Sequence, residues 1–349
     1  MNDGIDSSLA SVAPVAGARG TPSAEMRNVP PLAWMAGLGA LADLVINRVL
    51  IPFGHDGWSN EALLSLDRAG SFALNLSVVA GLVALAFCLG SLASRQSGLP
   101  MSARASLASF GWVLIPIVTL MTFLPLAVTR REIVLVVAGL SHAVIVLLVL
   151  AGLHWRSAPA MIATLILTLV ASLSGLASMS THLLGERFLW PHAERLANAF
   201  HWSGELAYLA VPLAVGFALA LPWGTVRGKA ALFVSTLGAA TVAIAMALLQ
   251  RAAGKELPML VYGALKLDLM PDRLAVLYAI PLGIGCAVTI AAAMSKDPTR
   301  RQLGAALLLL SSTGYAPRTP STLILSVVGV ALLARSAIAY AQRRNAPDA

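Results

Sequence analysis

Residues 178–208 hold three of the six histidines and three glutamates. The run reads Ser178, His182, Glu186, Arg187, Trp190, Pro191, His192, Glu194, Arg195, Asn198, His201, Trp202, Glu205 and Tyr208. Pro191 suits the first turn of a helix. From there Glu194, Asn198, His201, Glu205 and Tyr208 recur at helical spacing, so all five share one stripe. His182–Glu186 and His201–Glu205 are both i, i+4 pairs. Imidazole and carboxylate together suit zinc or iron, so a metal or haem site here would draw on His182, Glu186, His192, His201 and Glu205. The same pairs can instead hold a proton or a cationic substrate, the carboxylate orienting the imidazole. A third reading is an interfacial amphipathic helix whose polar stripe faces water, anchored by Trp190 and Trp202. No HExxH, repeated ExxH or HxxxH is present, so no motif requires a cofactor.

Two further groups lie in apolar surroundings. Asp43 falls near the centre of the first apolar segment, with Asn47 one turn on. A central aspartate costs about 2.5–3.5 kcal/mol on insertion, so it needs either a function or a partner on a neighbouring helix. Asp43, Asn47, His142, His201 and Glu205 are therefore the expected proton- or substrate-binding residues. Arg48 is placed to snorkel outward. His142, beside Ser141 in mid-segment, can ligate haem, relay a proton or bond across a helix interface. His55, Asp56 and Trp58 after the first segment, and Glu256, Tyr262, Lys266, Asp268, Asp272 and Arg273 further on, are further polar partners if their loops meet the stripe.

The elements that must position these residues are apolar helices. Of 349 residues, 58% are hydrophobic and only 11% charged. A soluble domain carries about 25% charged residues, and a soluble fold of this size cannot hide so much apolar surface. The reading is an all-α, polytopic transmembrane helix bundle of about ten spans: 31–53, 70–93, 106–128, 133–153, 159–184, 204–223, 230–250, 274–294, 303–316 and 320–340. The short 303–316 segment makes nine the alternative, if it is re-entrant with 320–340 around a turn at Tyr315–Pro320. Residues 1–30, rich in Ser, Ala, Gly and Pro, read as a disordered cytoplasmic tail, 31–341 as one transmembrane domain and 342–349 as a short cytoplasmic tail. Small residues crowd the end of the fifth span, from Ala171 to Ser180, and read as a close-packing face. Cys88 and Cys286 read as buried thiols.

The net charge of +8 fits Lys and Arg retained in cytoplasmic loops better than a nucleic-acid partner, because no basic cluster is interleaved with exposed aromatics. That bias, though slight, puts both termini inside a bacterial inner membrane, with the long connections 54–69, 185–203 and 251–273 outside. Phosphate-binding loops, nucleophile elbows and dinucleotide motifs are absent. Three functions follow: a transporter or permease for a small solute or ion, proton-linked through Asp43 or Glu205; a metal- or haem-dependent membrane enzyme or redox protein; or a non-catalytic subunit held by membrane-complex partners.

Overall fold

The computed structural model describes residues 24–51, 57–93, 131–152, 159–218, 272–313 and 320–345, together with residues 229, 230, 233, 236, 237 and 241. Every regular element with defined bounds is helical: α1 (Ala24–Val45, continuing into a π-helical turn, Ile46–Leu50), α2 (Asn60–Ala93), α3 (Arg131–Gly152), α4 (Pro159–Phe188), α5 (Ala193–Ala218), α6 (Asp272–Ala293), α7 (Pro298–Thr313) and α8 (Pro320–Asn345). Asn60–Cys88, Pro159–Phe188 and Ser321–Tyr340 are long and apolar enough to cross a membrane, and Ala138–Ala151 and Gly283–Ala293 are shorter apolar stretches. These three helices fit a membrane protein; the count of ten spans rests on the sequence alone. The expected span 106–128, most of 230–250, the loop 251–271, the turn at 314–319, and His55 and Asp56 lie outside the described residues.

Helix starts follow local chemistry. Ala62 N donates to Ser59 Oγ (3.3 Å) ahead of Glu61 in the first turn of α2. Pro159, Pro298 and Pro320 each open a helix, where a missing N–H costs nothing. Asp297 caps α7, its Oδ1 accepting from Thr299 N at 2.9 Å.

These starts move several expected boundaries. Residues 60–69, expected in a long outer loop, form the first turns of α2, with Asp67 and Arg68 on its exposed face. The expected loop 185–203 reduces to residues 189–192, because α4 runs to Phe188 and α5 begins at Ala193. The helix expected to begin at 303 begins at Pro298, whereas the last begins at Pro320 as expected. α1 begins at Ala24, ahead of the expected boundary at 31, and runs through Pro30 and Pro31 with Val29 and Pro30 buried.

Among the described helices, each from α3 to α8 packs on the next, and α8 packs back on α3. α1 lies against α2 and α7, and α2 against α8. α8 is the most enclosed of the three long apolar helices. Leu303, Leu307, Leu309 and Leu310 of α7 and Leu323, Leu325, Leu332 and Leu333 of α8 form the centre of the core. Small residues set the closest approaches. A Cβ on Gly185 would overlap Ala193, and one on Gly304 would overlap Ala292 and come within 3.1 Å of Trp34. Ser178 Oγ donates to Ala197 O across the α4–α5 contact at 2.8 Å, so part of the small-residue run packs as the sequence implies. Thr164, Thr168 and Ser172 satisfy their hydroxyls on carbonyls one turn back in α4.

Cross-helix neighbours fix the directions. Gly37 meets Leu308 and Trp34 meets Arg301, so α1 and α7 run parallel. Gly81 meets Leu325 and Val328, and Cys88 meets Arg335, so α2 and α8 run parallel. Gly39 meets Ser77, whereas Asn47 meets Gly70, so α1 and α2 are antiparallel. The amino-terminal end of α1 and the carboxy-terminal end of α8 therefore share one end of the bundle.

Candidate functional site

Among the described residues, three separate places within the apolar helices join an ionisable side chain to a polar partner. The first is Asp43, whose Oδ1 accepts from Asn47 Nδ2 at 2.7 Å. Their i, i+4 spacing puts both on one face, as the sequence implies. Gly70 of α2 lies against the pair: a Cβ there would sit 2.9 Å from Asn47 Nδ2 and 3.5 Å from Asp43 Oδ1. The helix widens into its π-helical turn directly after Asp43, at Ile46–Leu50. Such turns are frequent at functional sites. The carboxylate is not central, however. It lies level with Gly70, within a turn of the exposed Asp67 and Arg68, at the end of the apolar stretch of α2.

The second place is His142, fully buried between α3 and α8. Its Nε2 is 3.1 Å from Ser326 Oγ, and that hydroxyl donates to Leu323 O at 2.8 Å. A hydroxyl has one proton. With it committed to Leu323, Ser326 Oγ accepts from His142, so Nε2 carries the hydrogen. Of the roles open to His142 in the sequence, the bond across a helix interface is present.

The third place is absent from the sequence-based expectations. Arg335 of α8 donates through one terminal nitrogen to Gln302 Oε1 (3.1 Å) and to Cys88 Sγ (3.3 Å). Gln302, itself buried, donates from Nε2 to Leu332 O at 3.2 Å. The cluster joins α2, α7 and α8. Cys88 is buried as expected, though it serves as an acceptor as well as a packing group, whereas Cys286, also expected to be buried, is exposed on α6. The signal for Arg335 was available: it is an arginine inside an apolar segment, the criterion that singled out Asp43.

Gly70 and Cys88 are eighteen residues apart on α2, about 27 Å along a helix. The Asp43 and Arg335 sites are therefore separated by nearly the roughly 30 Å of a hydrocarbon core. Ser326 precedes Arg335 by nine residues on α8, about 14 Å, which puts His142 midway. Asp43 and His142 do not converge on one point.

The His/Glu run of α4 and α5 is arranged differently. His182 Nε2 and Glu186 Oε1 pair at 3.0 Å with side chains 56% and 63% exposed. His192 is exposed in the turn with φ of 73°. Glu194 and Asn198 are exposed, and His201 is half-buried, edge-on to Trp202 with ring centroids 6.0 Å apart. The side chains of Glu205 and Tyr208 lie outside the described residues. The antiparallel pairing of Gly185 with Ala193 and Ser174 with Gly204 puts His182 and His201 at different heights along the hairpin. Among the described residues no three His, Cys, Asp or Glu side chains are grouped to hold a metal ion. No protein-family model, curated protein or solved structure matches this chain.

Proposed function

We propose that the chain is an integral membrane protein of about ten spans that moves a small solute or proton across a bacterial inner membrane. The supporting observation is the placement of ionisable side chains at three depths beside the adjoining helices α2 and α8: Asp43 toward one face, His142 midway and Arg335 toward the other. Ionisable groups are costly in hydrocarbon and tend to mark solute and proton pathways. A carboxylate held by an amide, next to a π-helical turn, can take up and release a proton or cation as that turn rearranges. Both termini face the cytoplasm in this reading. The end of the bundle that carries them also carries Lys296, Arg300 and Arg301 before and within α7 and Arg343 and Arg344 in α8, which agrees with positive charge retained inside.

The test is proton flux in proteoliposomes of the purified chain, followed with a pH-sensitive dye under an imposed gradient. Asp43→Asn and His142→Gln are each expected to lower the flux about a hundredfold or more, the loss typical when a proton-transfer group is removed. His182→Ala, outside the three depths, should leave it unchanged. Unaltered flux and solute uptake in both deep variants would remove the transport reading.

A further inference from the structure

The turn from α6 into α7, residues 294–301, lies at the end of the bundle that holds both termini, because Arg301 abuts Trp34 near the start of α1. The turn is tightly tied. Ser295 N donates to Ala292 O (3.2 Å), Asp297 N to Ser295 Oγ (3.2 Å) and Thr299 N to Asp297 Oδ1 (2.9 Å). Lys296, Arg300 and Arg301 bring three positive charges to it and Asp297 one negative. That carboxylate is already engaged, by Thr299 N at Oδ1 and by Arg300 Nε 3.8 Å from Oδ2.

Arg301 is the unusual member. Its carbonyl accepts from Trp34 Nε1 at 2.9 Å, but its own Nε is buried with no hydrogen-bond partner. A buried N–H without an acceptor costs about 1–3 kcal/mol, and because the residue as a whole is only half-buried, a turn of the side chain that brings the guanidinium to an acceptor at the surface is favoured. Apolar surface begins immediately below the cations. Met294, just past the end of α6, is 78% exposed, and Ile290 on α6 is 47% exposed. Trp34, with its indole N–H fixed, is the side chain expected at headgroup depth.

We infer that this turn binds the phosphate of an anionic phospholipid, with Arg301, Arg300 and Lys296 around the phosphate and the acyl chains along Ile290 and Met294. The cations account for a phosphate; the adjoining apolar strip is used only if the phosphate carries acyl chains. Basic recesses between helices at a cytoplasmic face are known to take such headgroups. The inference rests on the membrane reading and not on transport.

Native mass spectrometry of the full chain in neutral detergent, with phosphatidylglycerol or phosphatidylcholine added, tests it. The wild-type chain should retain phosphatidylglycerol preferentially, with retention falling about fivefold for each cation removed. Arg301→Gln is the direct variant. Lys296→Gln with Arg300→Gln, both at exposed positions, gives the answer if Arg301→Gln fails to fold by thermal denaturation. Equal retention of the two lipids, or variants that retain phosphatidylglycerol as the wild type does, overturns the inference. Displacement of the lipid by millimolar inorganic phosphate overturns it too, because the site would then be one for a free anion. A chain without proton flux that still selects phosphatidylglycerol would lose the proposed transport and keep this site.

Discussion

The α7–α8 core and the α4–α5 turn both carry clustered polar side chains, and they treat them in opposite ways. In the core, Arg335, Gln302 and Ser326 lie among leucines and reach partners on other helices: Gln302 and Cys88 for Arg335, His142 for Ser326. At the turn, His182, Glu186, His192 and Glu194 are exposed, and the pair that forms is local, four residues apart on one helix. Desolvation accounts for the difference. A polar group in the core loses water and must recover its hydrogen bonds from the protein, so its geometry is set by tertiary structure. At the turn, solvent or headgroups can supply them. Dense polar sequence is therefore a poor guide to where polar groups hold this molecule together.

The largest effect should come from breaking the Arg335 cluster. Gln302→Leu removes both the acceptor for Arg335 and the donor to Leu332 O, and about 2–3 kcal/mol of stability should be lost. Denaturant titration in detergent micelles measures it. Adding Arg335→Met to Gln302→Leu should recover part of that loss, since a guanidinium that has given up one acceptor in apolar surroundings costs more than an apolar side chain there. A double variant as unstable as the single would show that the cluster contributes packing more than hydrogen bonding.

Overpacking comes next. Gly304→Val drives side-chain atoms into Ala292 and Trp34, and about 1–3 kcal/mol should be lost. Trp34 emission would shift if the indole is displaced from Arg301 O. Ser326→Ala follows at about 1–2 kcal/mol, because His142 would lose its acceptor inside the core. The same titration ranks all three.

The contrast also explains what could be read from the residues alone. Apolar runs revealed the helices, because burial in lipid or protein demands them whatever the partner. Boundaries shifted where a charged or proline residue resembled a break. Asp67 and Arg68 sit on an exposed helical face, and Pro30–Pro31 lie inside α1. The i, i+4 pairs Asp43–Asn47 and His182–Glu186 were legible because helix geometry alone brings them together. Arg335 with Cys88, 247 positions apart, and His142 with Ser326, 184 apart, were not, because no local rule links such distant positions.

The smallest effect belongs to the turn, where the sequence is richest in polar groups. Glu186→Gln removes one charge from a pair that is more than half exposed on both sides. Exposed pairs at this spacing contribute about 0.3–0.5 kcal/mol, and salt screens them further. The midpoint of unfolding should therefore move little, and less again at high salt. A loss near that of Ser326→Ala would contradict the comparison, because it would mean that something shields the turn from water. The neighbouring side chains make that outcome worth measuring. Leu189 is 86% exposed with φ of 52°, and Phe188 stacks on Trp190 at 6.4 Å. A large salt-independent loss would place this turn within the membrane interface, where those side chains are at home.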